Sequence, residues 1–126
     1  MDAEKIHEAQ DFGEFAENMA AKKYIEKGYA ILERNWHLGK TEIDLIAQSD
    51  NVIVFIEVKA RNGNFQSPFE AVTHDKKRRM TKAADSYIRR LQGDYDYRFD
   101  FVGVTGNKEN YNIEILEDAF LAADFF

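Results

Sequence analysis

Cysteine is absent from the chain, and its absence excludes both a disulfide framework and a thiolate-ligated zinc centre. An ordinary reducing cytoplasm suits such a chain, although the lack of cysteine says nothing of secretion. Proline occurs once, at Pro68, and the seven glycines are scattered, so no Pro/Gly-rich linker, internal repeat or low-complexity segment divides the sequence. Long apolar runs are missing as well: none approaches the roughly 20 residues that a membrane span needs. The start, Met1-Asp2-Ala3-Glu4-Lys5, is charged and has no apolar stretch of the signal-peptide kind. The expectation is a soluble, cytoplasmic, untargeted protein.

The 126 residues suit one domain, 1–126, large enough to bury a core without staples. Residues 1–10 are expected to be disordered, and the apolar segment 117–126 to dock on something. A net charge of −6 argues at first against a polyanionic partner, because phosphate binding draws on clustered Lys and Arg. The charge is unevenly spread. Lys59, Arg61, Lys76, Lys77, Arg78, Arg79 and Lys82 stand against Glu70 and Asp75, a local +5 that leaves −11 for the remainder. One basic face beside an acidic site fits this asymmetry, and so does a solvated helix surface at Lys76 to Arg79.

Apolar periodicity predicts a helix over 12–27 (Phe12, Phe15, Ala16, Met19, Ala20, Tyr24), with Asp11 as N-cap and Gly28 as its stop. A strand follows from Tyr29 toward Trp36. The runs Thr41–Ala47 and Val52–Val58, joined by the turn-rich Gln48-Ser49-Asp50-Asn51, read as a β-hairpin. The third strand ends near Arg61, before Asn62-Gly63-Asn64. Ser67-Pro68-Phe69-Glu70 has the form of a capping box ahead of a short helix, and Thr73 offers a second cap. From Lys76 onward, Met80, Ala83, Ala84, Tyr87, Ile88 and Leu91 repeat at helical spacing until Gly93. Strands are expected at Arg98–Val104 and Tyr111–Leu116. Helix, three strands, helix, two strands describes an α/β chain of the α+β kind, a mixed sheet with helices packed against it.

The chemistry concentrates in the hairpin. Side chains alternate along a strand, so Glu42 and Asp44 share one face of the first run, and Glu57 and Lys59 share one face of the second. An even loop, Ser49-Asp50 or Asp50-Asn51, pairs residues of opposite parity and puts 44 and 57 on the same side, with Cα atoms roughly 7–8 Å apart in the first register and roughly 5 Å apart in the second. A three-residue loop without a bulge would separate them. Two carboxylates and a main-chain carbonyl, completed by water, form the oxygen environment that Mg²⁺ prefers and Mn²⁺ tolerates. Such an ion activates water for attack on phosphorus, and Lys59 can orient that water or stabilise the developing charge. A Glu-Val-Lys strand end is also a plain cross-strand ion pair in many proteins. Val52 to Val58 is apolar on both faces until Glu57, however, and an unpaired carboxylate in a buried strand is costly without a cation. Glu42 reads as an edge charge at the hairpin mouth. His7, His37 and His74 do not cluster with the carboxylates and read as surface or cap residues.

These residues resemble the PD-(D/E)xK nuclease superfamily and, more narrowly, the YraN-like family of predicted endonucleases related to archaeal Holliday junction resolvases. The resemblance rests on Glu14, Glu42-Ile43-Asp44-Leu45-Ile46 and Glu57-Val58-Lys59. Gly13-Glu14, Ala71-Val72-Thr73 with Lys76 and Arg79, Arg98–Val102 and Glu117–Phe120 extend it over nearly the whole chain. It implies a restriction-endonuclease-like core, with metal held by Asp44, Glu57 and the Val58 carbonyl, and Lys59 as the catalytic lysine. It further implies that Glu14 reaches the metal from the first helix, although Asp11-Phe12-Gly13-Glu14 also fits a capping box. Lys76 and Arg79, with Arg61, Lys77 and Lys82 beside them, would face substrate phosphates, and Asp100 would orient a neighbouring base. The chain departs from the family at Gly39-Lys40-Thr41, where a Gly-Gly pair is usual.

The leading expectation is therefore an Mg²⁺-dependent endodeoxyribonuclease, acting on branched or flapped DNA and as a homodimer, both by analogy with resolvases. Two other readings share the scaffold. One is a nucleic-acid-binding module with little or no turnover, and the other an interaction protein whose apolar tail completes a dimer.

Overall fold

The computed structural model describes residues 3–62 and 72–125, and of residues 3–10 the backbone alone. The expected capping box and short helix around Ser67-Pro68-Phe69-Glu70 lie outside the described residues. Helix α1 (Ala3–Glu26) is followed by strands β1 (Ala30–Leu38), β2 (Thr41–Ser49) and β3 (Val52–Arg61), helix α2 (His74–Arg90), and strands β4 (Asp96–Gly106) and β5 (Tyr111–Leu116). A 3₁₀ turn, Ala122–Asp124, closes the tail. The strands line up in sequence order, antiparallel throughout except for the parallel pair β3–β4, which α2 connects.

α1 starts well before residue 12. Ala3-Glu4-Lys5 and Glu8-Ala9-Gln10 are strong helix formers with no glycine or proline to stop them, so Asp11 lies inside the helix and does not cap it. The same segment was expected to be disordered. The other end is as expected. Gly28 takes φ +95°, and the Tyr29 amide donates back to the Tyr24 carbonyl at 3.0 Å, closing the helix with a left-handed residue. α2 is capped by Thr73, whose hydroxyl accepts a hydrogen bond from the Lys76 amide at 3.1 Å.

The sheet is buried on both faces, and each face has its own core. On one face, α1 lays Phe12, Ala16, Ala20, Ala21 and Tyr24 against Leu45, Ala47, Val54, Ile56, Val102 and Val104. Three alanines let the helix backbone come close to the strands. On the other, Met80, Ala83, Ala84 and Tyr87 of α2 cover Ile46, Ile53, Phe55, Phe99 and Phe101. The expected docking of the tail is onto this second core: the Phe120 ring stacks on Phe99 with centroids 4.3 Å apart and planes 11° from parallel. The β1 edge is irregular, with a register shift between Ile31 and Glu33 and Asn35 at φ +51°. Such irregularity discourages edge-to-edge pairing.

A buried polar clamp ties the layers together. Asp100 is fully buried and accepts hydrogen bonds from the Tyr24 hydroxyl at 2.6 Å, from Arg98 Nε at 3.0 Å and Nη2 at 3.2 Å, and from the Asp118 amide at 3.0 Å. The partner of Asp100 is thus the Arg98 guanidinium, a cation that also donates to the Tyr29 hydroxyl at 3.0 Å. The bond to Asp100 holds the Arg98 guanidinium above its ordinary pKa against the opposing effect of burial, and burial, reinforced by Asp100, raises that of Tyr24.

Candidate active site

β2 and β3 form a hairpin whose two-residue turn is Asp50-Asn51, with Ser49 opposite Val52 and Leu45 opposite Ile56. This is the even loop that brings 44 and 57 together. Beyond Leu45 and Ile56 the two strands part. β2 continues to Thr41 paired only with β1, while β3 continues to Arg61 paired only with β4. The sheet is forked, and the candidate carboxylates stand at the root of the fork.

Asp44 fills part of the gap. Its Oδ2 accepts a hydrogen bond from the Val58 amide at 2.7 Å, taking a bond that the ladder would otherwise have supplied. A strand residue turns its N–H and C=O to the same side, so the Val58 carbonyl faces the fork as well. Burial and then the neighbouring Glu57 push the Asp44 carboxyl up to about 8, with the Val58 hydrogen bond opposing them. Glu57 is 3% exposed on the α2 face of β3. Its Oε1 lies 3.3 Å from Lys59 Nζ and 3.4 Å from Lys76 Nζ, while Oε2 is buried with no hydrogen-bond partner among the described residues.

The α1 acid that bears on this site is Glu17. It is half-buried, and its pKa is raised first by burial and then by Glu42, with Glu57 and Glu14 adding and Arg34 opposing; it contributes in turn to the shift of Asp44. Glu14 is exposed. The helical phase explains the difference. Glu14 sits two residues from both Phe12 and Ala16, on the far side of α1 from that buried line, whereas Glu17 lies four residues before buried Ala21. That relation was present in the sequence, but it depends on knowing which residues of the helix meet the sheet.

The cations divide into three groups. Lys59 and Lys76 enter the site through Glu57. Lys77 leans over the Phe120 ring, 5.9 Å from its centroid, and so is committed to the tail. Arg61 and Lys82 are exposed, and Arg79 is exposed but bonded to Asp75 at 2.8 Å. Glu42 pairs with His37 at 3.4 Å at the hairpin mouth, and His74 packs on Phe125, so neither histidine approaches the carboxylates. Among the described residues, no group of three acidic or histidine side chains gathers closely enough to hold a metal. Among the described residues, no helix is long and apolar enough to cross a membrane.

Two helices on a five-stranded mixed sheet make an α+β fold compatible with a restriction-endonuclease-like core. The model of uncharacterised protein family UPF0102 matches residues 16–104, and the chain belongs to that family. It is 43% identical to a UPF0102 protein of Phocaeicola vulgatus over 114 residues, covering 90% of this chain and 94% of the relative. A UPF0102 protein of Chloroherpeton thalassium is 43% identical over 120 residues, with 91% and 92% covered. One from Clostridium botulinum is 40% identical over 116 residues, with 88% and 94% covered. The matched span includes Glu17, the whole fork and Lys76.

Proposed function

We propose that the protein is a metal-dependent nuclease of the PD-(D/E)xK type, hydrolysing DNA phosphodiester bonds, with branched or flapped DNA as the candidate substrate. The observation that supports the reading is the fork, where the Asp44 carboxyl meets the Val58 amide within electrostatic reach of Glu57, one of whose oxygens is buried with no hydrogen-bond partner among the described residues. The donors fit a hard divalent cation. Magnesium sites commonly use one or two carboxylates and complete the shell with water and substrate phosphate, so a third acidic ligand is not required. When bound, Mg²⁺ or Mn²⁺ supplies a Lewis acid that activates water and offsets charge on the phosphate.

The chain's own residues do the rest. Asp44 and Glu57 would hold the ion, and the Val58 carbonyl, on a strand steadied by its pairing with β4, would add a neutral donor. Lys59 extends from the same face as Glu57, where its ammonium can orient the attacking water and donate to a non-bridging phosphate oxygen. Arg61, Arg79 and Lys82 attract the DNA backbone without regard to sequence. A binding module with little turnover keeps one observation in its favour, the lack of a third acidic ligand among the described residues.

Labelled duplex, single-stranded and four-way-junction DNA incubated with Mg²⁺ or Mn²⁺ separates the two. Cleavage by wild type and a loss of about 100-fold or more in Asp44→Ala and Glu57→Ala are expected. The absence of metal-dependent cleavage, or cleavage that survives both substitutions, removes the metal-dependent nuclease reading. Salt-sensitive binding without cleavage selects the module.

A further inference from the structure

Lys76 stands in the first turn of α2, three residues after its cap. A cation there faces the positive end of the helix dipole, which favours acidic side chains. Its side chain is nevertheless turned inward, only 24% exposed, with Nζ 3.4 Å from Glu57 Oε1. Lys59 approaches the same oxygen at 3.3 Å. One oxygen of a buried carboxylate therefore carries two ammonium groups, while the other carries none among the described residues. Lys59 is accounted for by its place beside Glu57 on β3. Lys76 arrives on a separate element, and the proposed chemistry gives it no part at Glu57.

The charge balance suggests that part. Lys59 and Lys76 set two positive charges against the single carboxylate of Glu57, so this ligand is over-compensated before any ion enters, although Asp44, Glu17 and Glu42 add negative charge nearby. A divalent cation is weakly attracted to such a site. Attraction develops when one ammonium moves off Glu57, and an arriving phosphate gives that ammonium somewhere to go. We infer that Lys76 is a positioning residue that makes metal and phosphodiester load together: it holds Glu57 in the metal-free protein, yields it to the ion, and turns to the phosphate. A flexible four-carbon stem ending in a compact charge suits that movement. The inference rests on the reading of Glu57 as a metal ligand. Thermodynamic linkage requires that DNA tighten metal binding by the same factor as metal tightens DNA binding.

The test is Mn²⁺ titration of the full chain, alone and with a phosphorothioate duplex, for wild type, Lys76→Met, Lys76→Arg and Glu57→Gln. Lys76→Met keeps the stem and removes the charge, and thermal melting checks its fold. It should bind Mn²⁺ without DNA about tenfold more tightly than wild type, and gain less from added duplex. Lys76→Arg should stay close to wild type in both. Lys76→Met with unchanged or weaker Mn²⁺ affinity, in a protein where Glu57→Gln abolishes binding, overturns the role of Lys76 and leaves the nuclease reading standing. Equal Mn²⁺ binding by wild type and Glu57→Gln overturns Glu57 as a ligand, and both readings with it.

Discussion

The side chain of Asp44 accepts a 2.7 Å hydrogen bond from the backbone of Val58, so a carboxyl stands where two strands have stopped pairing. The position is electrostatically unfavourable for a negative charge: burial and Glu57 push this carboxyl from 3.8 up to about 8. A carboxyl whose pKa is raised by folding favours the folded state while protonated. That contribution is complete below pH 4 and is lost as pH climbs through about 8. In metal-free buffer, the melting advantage of Asp44→Asn over wild type should therefore grow steadily from pH 5 to pH 8, by about 1 kcal/mol per pH unit while the unfolded chain has lost the proton and the folded carboxyl keeps it. Asp44→Ala should gain less, because it leaves the Val58 amide without its acceptor. Parallel pH dependence of wild type and Asp44→Asn in thermal melts would count against the raised pKa.

The Asp100 clamp is a matter of stability rather than chemistry, since it lies on the α1 face of the sheet, away from Glu57. Tyr24→Phe removes one hydrogen bond to a charged acceptor and should cost about 1.5–3 kcal/mol. Asp100→Ala strands Arg98 in a largely buried place and should cost about 3–5 kcal/mol. Urea denaturation measures both. DNA binding per folded molecule should be unchanged.

Phe120 anchors the tail against Phe99, Phe101 and Phe125. Phe120→Ala should destabilise the protein by about 3–5 kcal/mol. Leu121→Ala, at a side chain that is 60% exposed, should stay within about 0.5 kcal/mol. Chemical denaturation of the two variants side by side tests whether this segment belongs to the core.

Neighbouring lysines of α2 should behave differently toward DNA. Lys82→Ala removes an exposed charge and should lower the slope of log affinity against log salt by about 0.9. Lys77 is held over the Phe120 ring, so Lys77→Ala should leave the slope nearly unchanged and cost about 0.5–1 kcal/mol of stability. Fluorescence anisotropy across a salt series distinguishes them.

Local pattern carried much of this in the sequence. The runs Thr41–Ala47 and Val52–Val58, with an even turn between them, were enough to bring Asp44 and Glu57 within electrostatic reach of each other, and the spacing from Met80 to Leu91 was enough for α2. The fork was not legible, because whether β2 and β3 keep pairing depends on competition with β1 and β4 for the same backbone groups. Glu17 was passed over for Glu14 because the rotation of α1 is fixed by three alanines against the sheet, a tertiary fact. Lys76 read as a phosphate contact, since nothing local reveals that α2 returns its first turn to Glu57.

The parallel pairing of β3 with β4 also sets an order of assembly. Asp44 and Val58 are 14 residues apart and meet by closing one tight hairpin, whereas Lys76 reaches Glu57 only after the long crossover has docked. Local contacts form faster than those that close long loops, so the acidic half of the site should gather before its counter-charges arrive. During that interval the nascent hairpin holds two carboxylates together without their lysine partner from α2, and a divalent ion present in the folding buffer should speed completion of the sheet.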